Sequence, residues 1–501
     1  MTFPATDGIT DRLQALFAYD ASSPLIFSSG LFLFLFAGFM LIYNAFRRAP
    51  MARIVYVILF SLYFYYKSSG IYFLLLVFAA ASDFLIARGI YRARFRWTKR
   101  WLVVLSVAVN LGMLGYFKYT NFLIDISNQL FGQGFLQFQN IFLPVGISFF
   151  VFQSMSYTID IYRGQLKPLS NWLDYLFYLS FFPQLVAGPI VRARDFIPQI
   201  RQNPVVVTRE MFGTGVFLIL TGLFKKAIIS DYISLNFVDR IFDEPLLYSG
   251  FECLMGIYGY ALQIYCDFSG YSDMAIGIAL LLGFRFPKNF DAPYKSATIT
   301  EFWRRWHISL STWLRDYLYI SLGGNRKGKL RTYGNLLVTM VLGGLWHGAA
   351  IRFILWGTLH GVALALHKLW MAVVPGAKAT GAQMHWWSRA AGMLLTFNIV
   401  CLGWLMFRAE SMQTVELMLH QIFSNFNVPM IPQVIAGYAG VFALIGAGYL
   451  LHLMPGCVDR AAQRLVANAP LVLQVVMAAA MIWCVMQIKS SDIQPFIYFQ
   501  F

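Results

Sequence analysis

Long apolar runs, separated by short polar or basic stretches, recur along almost the whole chain. The first run, residues 25–46, is long enough for a membrane span, which takes about 20 mostly apolar residues. Further runs cover residues 54–66, 71–86, 101–116, 141–157, 172–190, 212–229, 251–286, 333–350, 353–370, 390–407, 434–451 and 471–488. The pattern predicts an all-α, polytopic membrane protein with roughly 11–13 membrane helices.

Two of these runs carry interruptions. Pro144 and Gly146 break the run at residues 141–157, and residues 182–189 place Pro183, Gly188 and Pro189 within another. Proline and glycine inside membrane helices are tolerated where the freed backbone groups are enclosed by protein or line a cavity. The two interruptions therefore indicate either a functional cavity or ordinary kinks, and the sequence leaves both open.

The composition agrees with this class of protein. The chain of 501 residues is 58% hydrophobic and 12% charged, whereas soluble proteins carry about 25% charged residues. The formal net charge of +16 is explained by the excess of Lys and Arg in cytoplasmic loops of membrane proteins, so no nucleic-acid partner is predicted. Residues 1–24 form a polar N-terminal segment, and residues 25–501 are predicted to form a single membrane domain with both termini outside the cytoplasm.

Polar residues interrupt the apolar run at residues 251–286. Asp267, Ser269 and Asp273 lie near its middle. A carboxylate at the centre of a membrane helix costs about 2.5–3.5 kcal/mol on insertion scales. These residues predict a polar cavity or a break in the helix.

A charged, tryptophan-rich segment then precedes an apolar helix that carries one histidine. The segment holds the candidate donor-binding or acyl-binding residues, which are Trp303, Arg304, Arg305, Trp306 and Arg315. His307 lies among them and is suited either to orient a donor, to polarise a carbonyl, or to make a structural hydrogen bond. Polar groups inside a membrane protein are costly and mark functional sites, so the segment predicts a vestibule for an acyl donor.

His347 follows within the apolar helix, forty residues after His307. Gly343, Gly344 and Gly348 flank it and permit another backbone or a substrate to approach closely, while Trp346 adds a flat wall that also belongs to the predicted donor site. An imidazole acts as a general base near neutral pH. His347 is therefore the candidate catalytic base.

The sequence gives little support to a metal site, a nucleotide-binding loop or a hydrolase. The five cysteines are scattered without metal-ligand or disulfide spacing, and His360 and His367 lie two turns apart rather than at the i, i+4 spacing of a metal pair, so no metal site is predicted. Residues 323–329 fit most of a phosphate-binding loop but lack its Ser or Thr. Serine-hydrolase and zinc-protease motifs are absent from the sequence.

Several of these segments resemble the membrane-bound O-acyltransferase family. The resemblance covers nearly the whole chain and is carried by residues 143–149, 183–189, 267–277, 282–287, 301–311, 313–319 and 345–348. It is closest to the branch that O-acetylates bacterial exopolysaccharides such as alginate, and a related branch transfers D-alanine to teichoic acid. By this resemblance His347 matches the catalytic histidine, and His307 matches a second polar position of the site.

The resemblance implies a helical body around a central tunnel in the cytoplasmic (inner) membrane. It implies no bound cofactor, with acetyl-coenzyme A or an acyl-carrier thioester as the donor substrate on the cytosolic side. The expected partners are membrane lipids, a periplasmic acetyltransferase that receives acetyl, and an acyl-carrier protein if that is the donor. The expected function is O-acetylation of an extracellular polysaccharide; the alternatives are D-alanyl transfer to teichoic acid and a non-enzymatic transporter of polysaccharide or lipid.

The tail at residues 489–501 begins with a polar patch at residues 489–492 and is then rich in aromatic residues up to Phe501. It resembles a C-terminal signature of pathways that export acyl groups, in which a tyrosine relays the group outward. By this resemblance Tyr498 is a candidate catalytic residue that accepts acetyl in the tunnel. The alternative is that Tyr498 belongs to the aromatic belt found at membrane interfaces.

Overall fold

The computed structural model describes residues 17–20, 24–374 and 385–488, which form helices joined by loops and contain no β-strand. Contacts between Cα atoms divide the chain into two compact units, Met1–Val206 and Val207–Phe501. The predicted polar segment at residues 1–24 and the aromatic tail at residues 489–501 fall largely or wholly outside the described residues.

The first unit is a bundle of apolar helices. They are α1 (Gly30–Ala45), α2 (Pro50–Ser69), α3 (Phe73–Arg92), α4 (Arg96–Leu114), α5 (Thr120–Phe131), α6 (Ile147–Tyr162), α7 (Trp172–Ser180), α8 (Phe182–Leu185) and α9 (Ala193–Ile200). A short 3₁₀ turn precedes α3, and a π-helical turn joins α4 to α5.

Both predicted interruptions are real breaks in this unit. Helix α6 begins only after Gly146, so the prediction of helix from residue 141 was wrong by six residues, because Pro144 and the positive φ of Gly146 (75°) end any preceding helical path. Serines of α2 satisfy backbone groups at the breaks: Ser69 accepts from the Val145 N–H at 3.0 Å, and Ser61 accepts from the Phe182 N–H at 3.2 Å. Such side-chain caps are how membrane helices tolerate broken backbone.

A buried carboxylate ties four helices of the first unit together. Asp83 on α3 accepts hydrogen bonds from Ser106 (2.7 Å), Asn110 (2.6 Å) and Ser154 (2.5 Å), and Ser154 also pairs with Tyr175 at 2.9 Å. These side chains are all fully buried. Three donors to one carboxylate offset much of the cost of removing it from water.

The second unit contains the candidate site. Its helices are α10 (Arg209–Leu223), α11 (Asp231–Ile233), α12 (Asp239–Asp243), α13 (Gly250–Leu281), α14 (Ile299–Arg305), α15 (Ile308–Trp313), α16 (Lys329–His347), α17 (Ile351–Val373), α18 (Trp386–Arg408), α19 (Met412–Ser424), α20 (Ile431–Gly437), α21 (Ala439–Leu453), α22 (Gly456–Asn468) and α23 (Leu471–Ile488). Three π-helical segments, Phe224–Ser230, Ser234–Val238 and Leu314–Tyr319, extend or join them.

The long helix α13 starts with a capping box. Ser249 accepts from the backbone of Glu252, and the Glu252 side chain accepts from the backbone of Ser249, which satisfies two backbone donors of the first turn. The helix then runs unbroken to Leu281. Of the two consequences predicted for the polar residues 267–273, a break in the helix is therefore wrong.

The number of membrane crossings stays a prediction. Among the described helices, length and composition alone identify four candidate spans, or up to six if each bent pair forms one span. One predicted span, residues 434–451, is not straight: α21 follows a shorter helical segment at an angle of 91°. The last predicted span coincides with α23.

Candidate active site

His347 is the last residue of α16, and 4% of its surface is exposed. Aromatic rings enclose it. Its ring centroid lies 4.9 Å from that of Trp346, 5.1 Å from that of Trp356 and 5.3 Å from that of Phe407. The imidazole therefore lies in an aromatic enclosure built from α16, α17 and α18.

Close packing of α16 against α17 creates this enclosure. A Cβ on Gly344 would lie 2.2 Å from the Phe353 carbonyl oxygen, and one on Gly357 would lie 2.3 Å from the Met340 carbonyl oxygen. Only glycine permits the two backbones to approach this closely. The glycines beside His347 thus admit a neighbouring helix, which was one of the two predicted uses for them.

Arg352 at the start of α17 holds the end of α18. It donates hydrogen bonds to the carbonyl oxygens of Phe407 (2.7 Å) and Ala409 (2.6 Å). These oxygens belong to the last turn of a helix, where carbonyl groups lack intrahelical partners. The contact fixes the Phe407 ring against His347.

His307 adopts a left-handed backbone conformation, with φ at 42°. It caps the N-terminus of α15, where its Nδ1 accepts a hydrogen bond from the Leu310 N–H at 3.4 Å. The residue is fully buried. A non-glycine residue in this conformation costs about 1–3 kcal/mol and is typically retained at functional sites. An accepting Nδ1 also assigns the proton of the neutral ring to Nε2.

A second contact fixes the same loop. The Ile308 N–H donates to the Asn289 carbonyl oxygen at 2.8 Å, and Ser309 Oγ donates to Asn289 Oδ1 at 2.8 Å. Asn289 in turn donates to Ser272 on α13 at 3.1 Å. Asn289, which is itself held by Ser272 of α13, thus fixes the loop that carries His307.

Trp346 connects the two predicted histidines. Its ring centroid lies 6.3 Å from that of His307 and 4.9 Å from that of His347. The structure therefore brings together two residues that are forty positions apart in the sequence. Both imidazoles contact the same indole.

The predicted donor-binding residues divide into two groups. Trp303 and Trp306 are buried, and Trp306 packs against Trp404 with centroids 4.8 Å apart. The arginines lie nearer the surface. Arg304 is exposed, and Arg315 pairs with its neighbour Asp316 at 2.6 Å.

Arg305 is held by two carboxylates. It pairs with Glu301 at 2.9 Å and with Asp291 at 3.5 Å. A hydrogen bond from Lys288 lowers the pKa of the Asp291 carboxyl, which keeps its negative charge available to Arg305. The indoles therefore face the interior of the unit, and the cations surround the outer end of the same segment.

The predicted polar residues of α13 form ion pairs with two consecutive lysines. Lys226 contacts Asp267 at 2.6 Å and Asp231 at 2.8 Å, and Lys225 contacts Asp273 at 2.6 Å. These five residues are called the lysine–aspartate cluster below. Ser269 is buried on the same helix. The lysines lie in a π-helical segment.

Sequence reasoning missed two residues beside His347. Trp356 contacts His347, and His360 lies one turn further along α17 with its ring centroid 4.8 Å from that of Trp356. Trp303 contacts both, at 5.7 Å from Trp356 and 5.2 Å from His360. His360 had been considered only as a metal ligand, although Trp356 and His360 are spaced i, i+4 on one predicted helix. Trp303, His347, Trp356 and His360 are called the histidine–tryptophan cluster below.

The other histidines are structural where the structure describes their contacts. His452 accepts a hydrogen bond from the Tyr294 N–H at 3.1 Å, and His367 pairs with Thr300 at 2.8 Å. Tyr498 lies outside the described residues.

Comparison with known proteins identifies the class. The model of the membrane-bound O-acyltransferase family matches residues 163–409. A protein of Pseudomonas aeruginosa named probable alginate O-acetylase AlgI is 42% identical over 407 residues, which cover 80% of this chain and 75% of that protein. The chain belongs to the membrane-bound O-acyltransferase family. It is therefore an acyltransferase and a polytopic, all-α membrane protein, as predicted.

Two other relatives are named after different substrates. A peptidoglycan O-acetyltransferase of Helicobacter pylori is 36% identical over 419 residues, 78% of each chain. A teichoic acid D-alanyltransferase of Bacillus subtilis is 29% identical over 287 residues, 54% of this chain and 70% of that protein. The matched family region contains both His307 and His347.

Proposed function

We propose that this protein transfers acetyl from a cytosolic thioester for the O-acetylation of an extracellular polysaccharide. The observation that carries the proposal is the 42% identity to an alginate O-acetylase over four fifths of the chain. The enclosed position of His347 supports it, because an acyl thioester is protected from hydrolysis where water is excluded. The polymer is alginate or another exopolysaccharide.

His347 acts as the general base. It removes the proton from the acceptor hydroxyl as the hydroxyl oxygen attacks the thioester carbonyl carbon. Such help typically accelerates a reaction by about 10²–10⁴-fold. Phe407 and Trp356 pack against the ring, and a closely packed ring has less entropy to lose in the transition state.

His307 orients the acyl donor. Its Nδ1 accepts the Leu310 N–H, which anchors the imidazole at the N-terminus of α15. Trp303, Trp306 and Trp346 supply flat apolar walls, and Arg304, Arg305 and Arg315 supply positive charge to phosphates of the donor. The donor is acetyl-coenzyme A or an acyl-carrier thioester.

Acetyl leaves the protein on the opposite face of the cytoplasmic membrane. There a periplasmic acetyltransferase partner receives it and modifies the polymer. The protein crosses the membrane many times around a central tunnel, with both termini outside the cytoplasm. Asp267, Ser269 and Asp273 contribute polar groups to its interior.

The C-terminal tail, residues 489–501, relays the acetyl group outward. Tyr498 accepts acetyl as a phenyl ester and passes it to the partner. Tyr498→Phe retains the ring but lacks the hydroxyl, so we expect a membrane-inserted protein and loss of polymer acetylation. Acetylation of polymer from cells that carry this variant, measured against expression of the protein, is the assay. Unchanged acetylation would exclude the relay and leave an aromatic anchor.

The proposed function itself is tested with purified protein and labelled acetyl thioester. A transferase yields a labelled protein or a labelled partner, whereas a transporter of polysaccharide or lipid yields neither. Family membership favours the transferase.

D-alanyl transfer to teichoic acid is the second candidate, because the Bacillus subtilis relative carries that name. Its identity of 29% is lower than that of the alginate O-acetylases. The same assay with a D-alanyl carrier thioester distinguishes the two. Transfer of D-alanine without transfer of acetyl would reverse the assignment.

A further inference from the structure

Three nitrogen-bearing side chains adjoin one side of His347. Trp356 contacts both His347 and His360, and Trp303 contacts both Trp356 and His360. Their exposed fractions are 8% for Trp303, 1% for Trp356 and 0% for His360. Solvent therefore does not satisfy their polar atoms.

None of the ring nitrogens of these three residues has a hydrogen-bond partner among the residues that the structure describes. Buried polar side-chain atoms nearly always have one, and each exception requires an explanation. An indole N–H can only donate, and a neutral imidazole has one donor and one acceptor. The three residues thus offer three donors, and His360 offers one acceptor as well.

A neighbouring tryptophan illustrates the ordinary arrangement. Trp404 packs 6.1 Å from Trp356, and its Nε1–H donates to the Tyr294 hydroxyl at 3.1 Å. The two indoles thus share one aromatic environment. Of these two, Trp404 alone has an acceptor among the described residues.

Two of these nitrogens, His360 Nε2 and Trp356 Nε1, lie close to Gly403 of α18. A Cβ built on Gly403 would be 2.9 Å from His360 Nε2 and 3.4 Å from Trp356 Nε1. Any side chain at position 403 would press against both rings, so glycine lets the backbone of α18 approach the two nitrogens closely.

We propose that Trp303, Trp356 and His360 form an oxyanion subsite that receives the carbonyl oxygen of the acyl thioester. When the acceptor oxygen attacks the carbonyl carbon, the electron pair of the C=O bond moves to this oxygen, and His347 takes the proton of the acceptor. When the C=O bond re-forms, the C–S bond breaks and the thiolate leaves with the proton from His347. The subsite rests on the proposed function, since it presumes an acyl thioester as donor.

The position of the three donors suits this step. Trp356 lies between His347 and His360, so the oxygen is bound on the Trp356 side of the base, while His307 lies on the Trp346 side. Fixed donors in a water-excluded site are worth more than in water, because they need no reorganisation as charge develops.

Trp356→Phe tests the subsite, because it removes one N–H and retains an aromatic ring. Loss of one oxyanion donor lowers kcat by roughly 10²–10³-fold in other enzymes, and we expect a loss of about 10²-fold in single-turnover transfer from labelled acetyl thioester, with little change in donor KM. The matched control is Trp404→Phe, the same chemical change at an indole whose N–H already has an acceptor. It should transfer at nearly the wild-type rate.

A second pair of variants separates chemistry from packing. His360→Leu removes the donor, and His360→Gln returns an N–H at a similar distance. We expect His360→Gln to recover part of the rate that His360→Leu loses. If His360 served packing alone, the transfer rate would not depend on whether residue 360 carries an N–H.

Infrared spectroscopy gives a direct reading of the carbonyl. A non-reactive ketone analogue of the thioester, with a ¹³C-labelled carbonyl, should absorb at lower frequency when bound to wild type or Trp404→Phe than when bound to Trp356→Phe. Equal frequencies and equal transfer rates in all three proteins would overturn the subsite alone. Absence of any acetyl transfer by the wild-type protein would overturn the proposed function and the subsite with it.

Discussion

Two polar clusters of the second unit differ in whether their own side chains supply hydrogen-bonding or ionic partners. In the lysine–aspartate cluster every charge has a counter-charge within 2.8 Å. In the histidine–tryptophan cluster, Trp303, Trp356 and His360 have ring nitrogens without a partner among the described residues. The first arrangement is complete as folded, and the second is complementary to a ligand.

Because of this difference, we expect one cluster to contribute mainly to stability and the other mainly to catalysis. A buried ion pair is costly to break, because one partner is then left charged and unpaired. Buried donors without acceptors reduce stability in the absence of a substrate. We therefore expect changes in the lysine–aspartate cluster to affect folding first, and changes in the histidine–tryptophan cluster to affect transfer first.

The largest expected effect on stability is that of Lys226→Met. It leaves Asp267 and Asp231 without their shared cation, and breaking a buried pair typically costs about 3–5 kcal/mol. Unfolding of the purified protein in detergent, followed by heat or denaturant, measures the loss. A variant as stable as wild type would show that the cluster does not hold α13 to the π-helical segment.

Gly344→Ala tests the packing beneath His347. The added Cβ would lie 2.2 Å from the Phe353 carbonyl oxygen, and overpacking of this kind typically costs about 1–3 kcal/mol. Because His347 is one turn further along α16, we expect transfer to fall as well. The matched control is Gly334→Ala on the same helix, where nothing lies within 4 Å of the new Cβ. Equal behaviour of the two variants would contradict the close packing of α16 and α17.

The smallest effect is expected from Lys288→Met. Lys288 pairs with Asp291 at 2.7 Å, but the two side chains are 65% and 50% exposed. Exposed ion pairs contribute about 0–1 kcal/mol. The same unfolding assay measures the effect. A loss of stability as large as that of Lys226→Met would show that burial does not explain the difference expected between the two ion pairs.

Much of the fold was predictable because its signals are local. Pro144 and Gly146 predicted a break, and the structure has one there. The ends of the last helix were also predicted, because the helix coincides with the apolar run at residues 471–488. The bend before α21 has a weaker signal, since Gly437 and Gly440 lie on either side of it but no proline interrupts residues 434–451.

The candidate site was only partly predictable. Gly343, Gly344 and Gly348 marked His347, and Trp346 was predicted beside it, but the Trp356 and Phe407 rings come from the next two helices and depend on tertiary packing. Trp356 and Trp404 are two of 13 tryptophans in the chain, and nothing in the sequence distinguishes the one whose N–H lacks an acceptor. A signal for the lysine–aspartate cluster did exist: Lys225 and Lys226 interrupt the apolar run at residues 212–229, as Asp267 and Asp273 interrupt the run at residues 251–286.

The central claim is that His347 is the base that activates the acceptor. It is tested most directly by the rate of acetyl transfer from labelled thioester to the protein or its partner, in wild type, His347→Ala and the exposed control His420→Ala. We predict a folded, membrane-inserted His347→Ala protein whose rate is lower by about 10²–10⁴-fold, with His420→Ala unchanged. Transfer by folded His347→Ala at the wild-type rate would contradict the account.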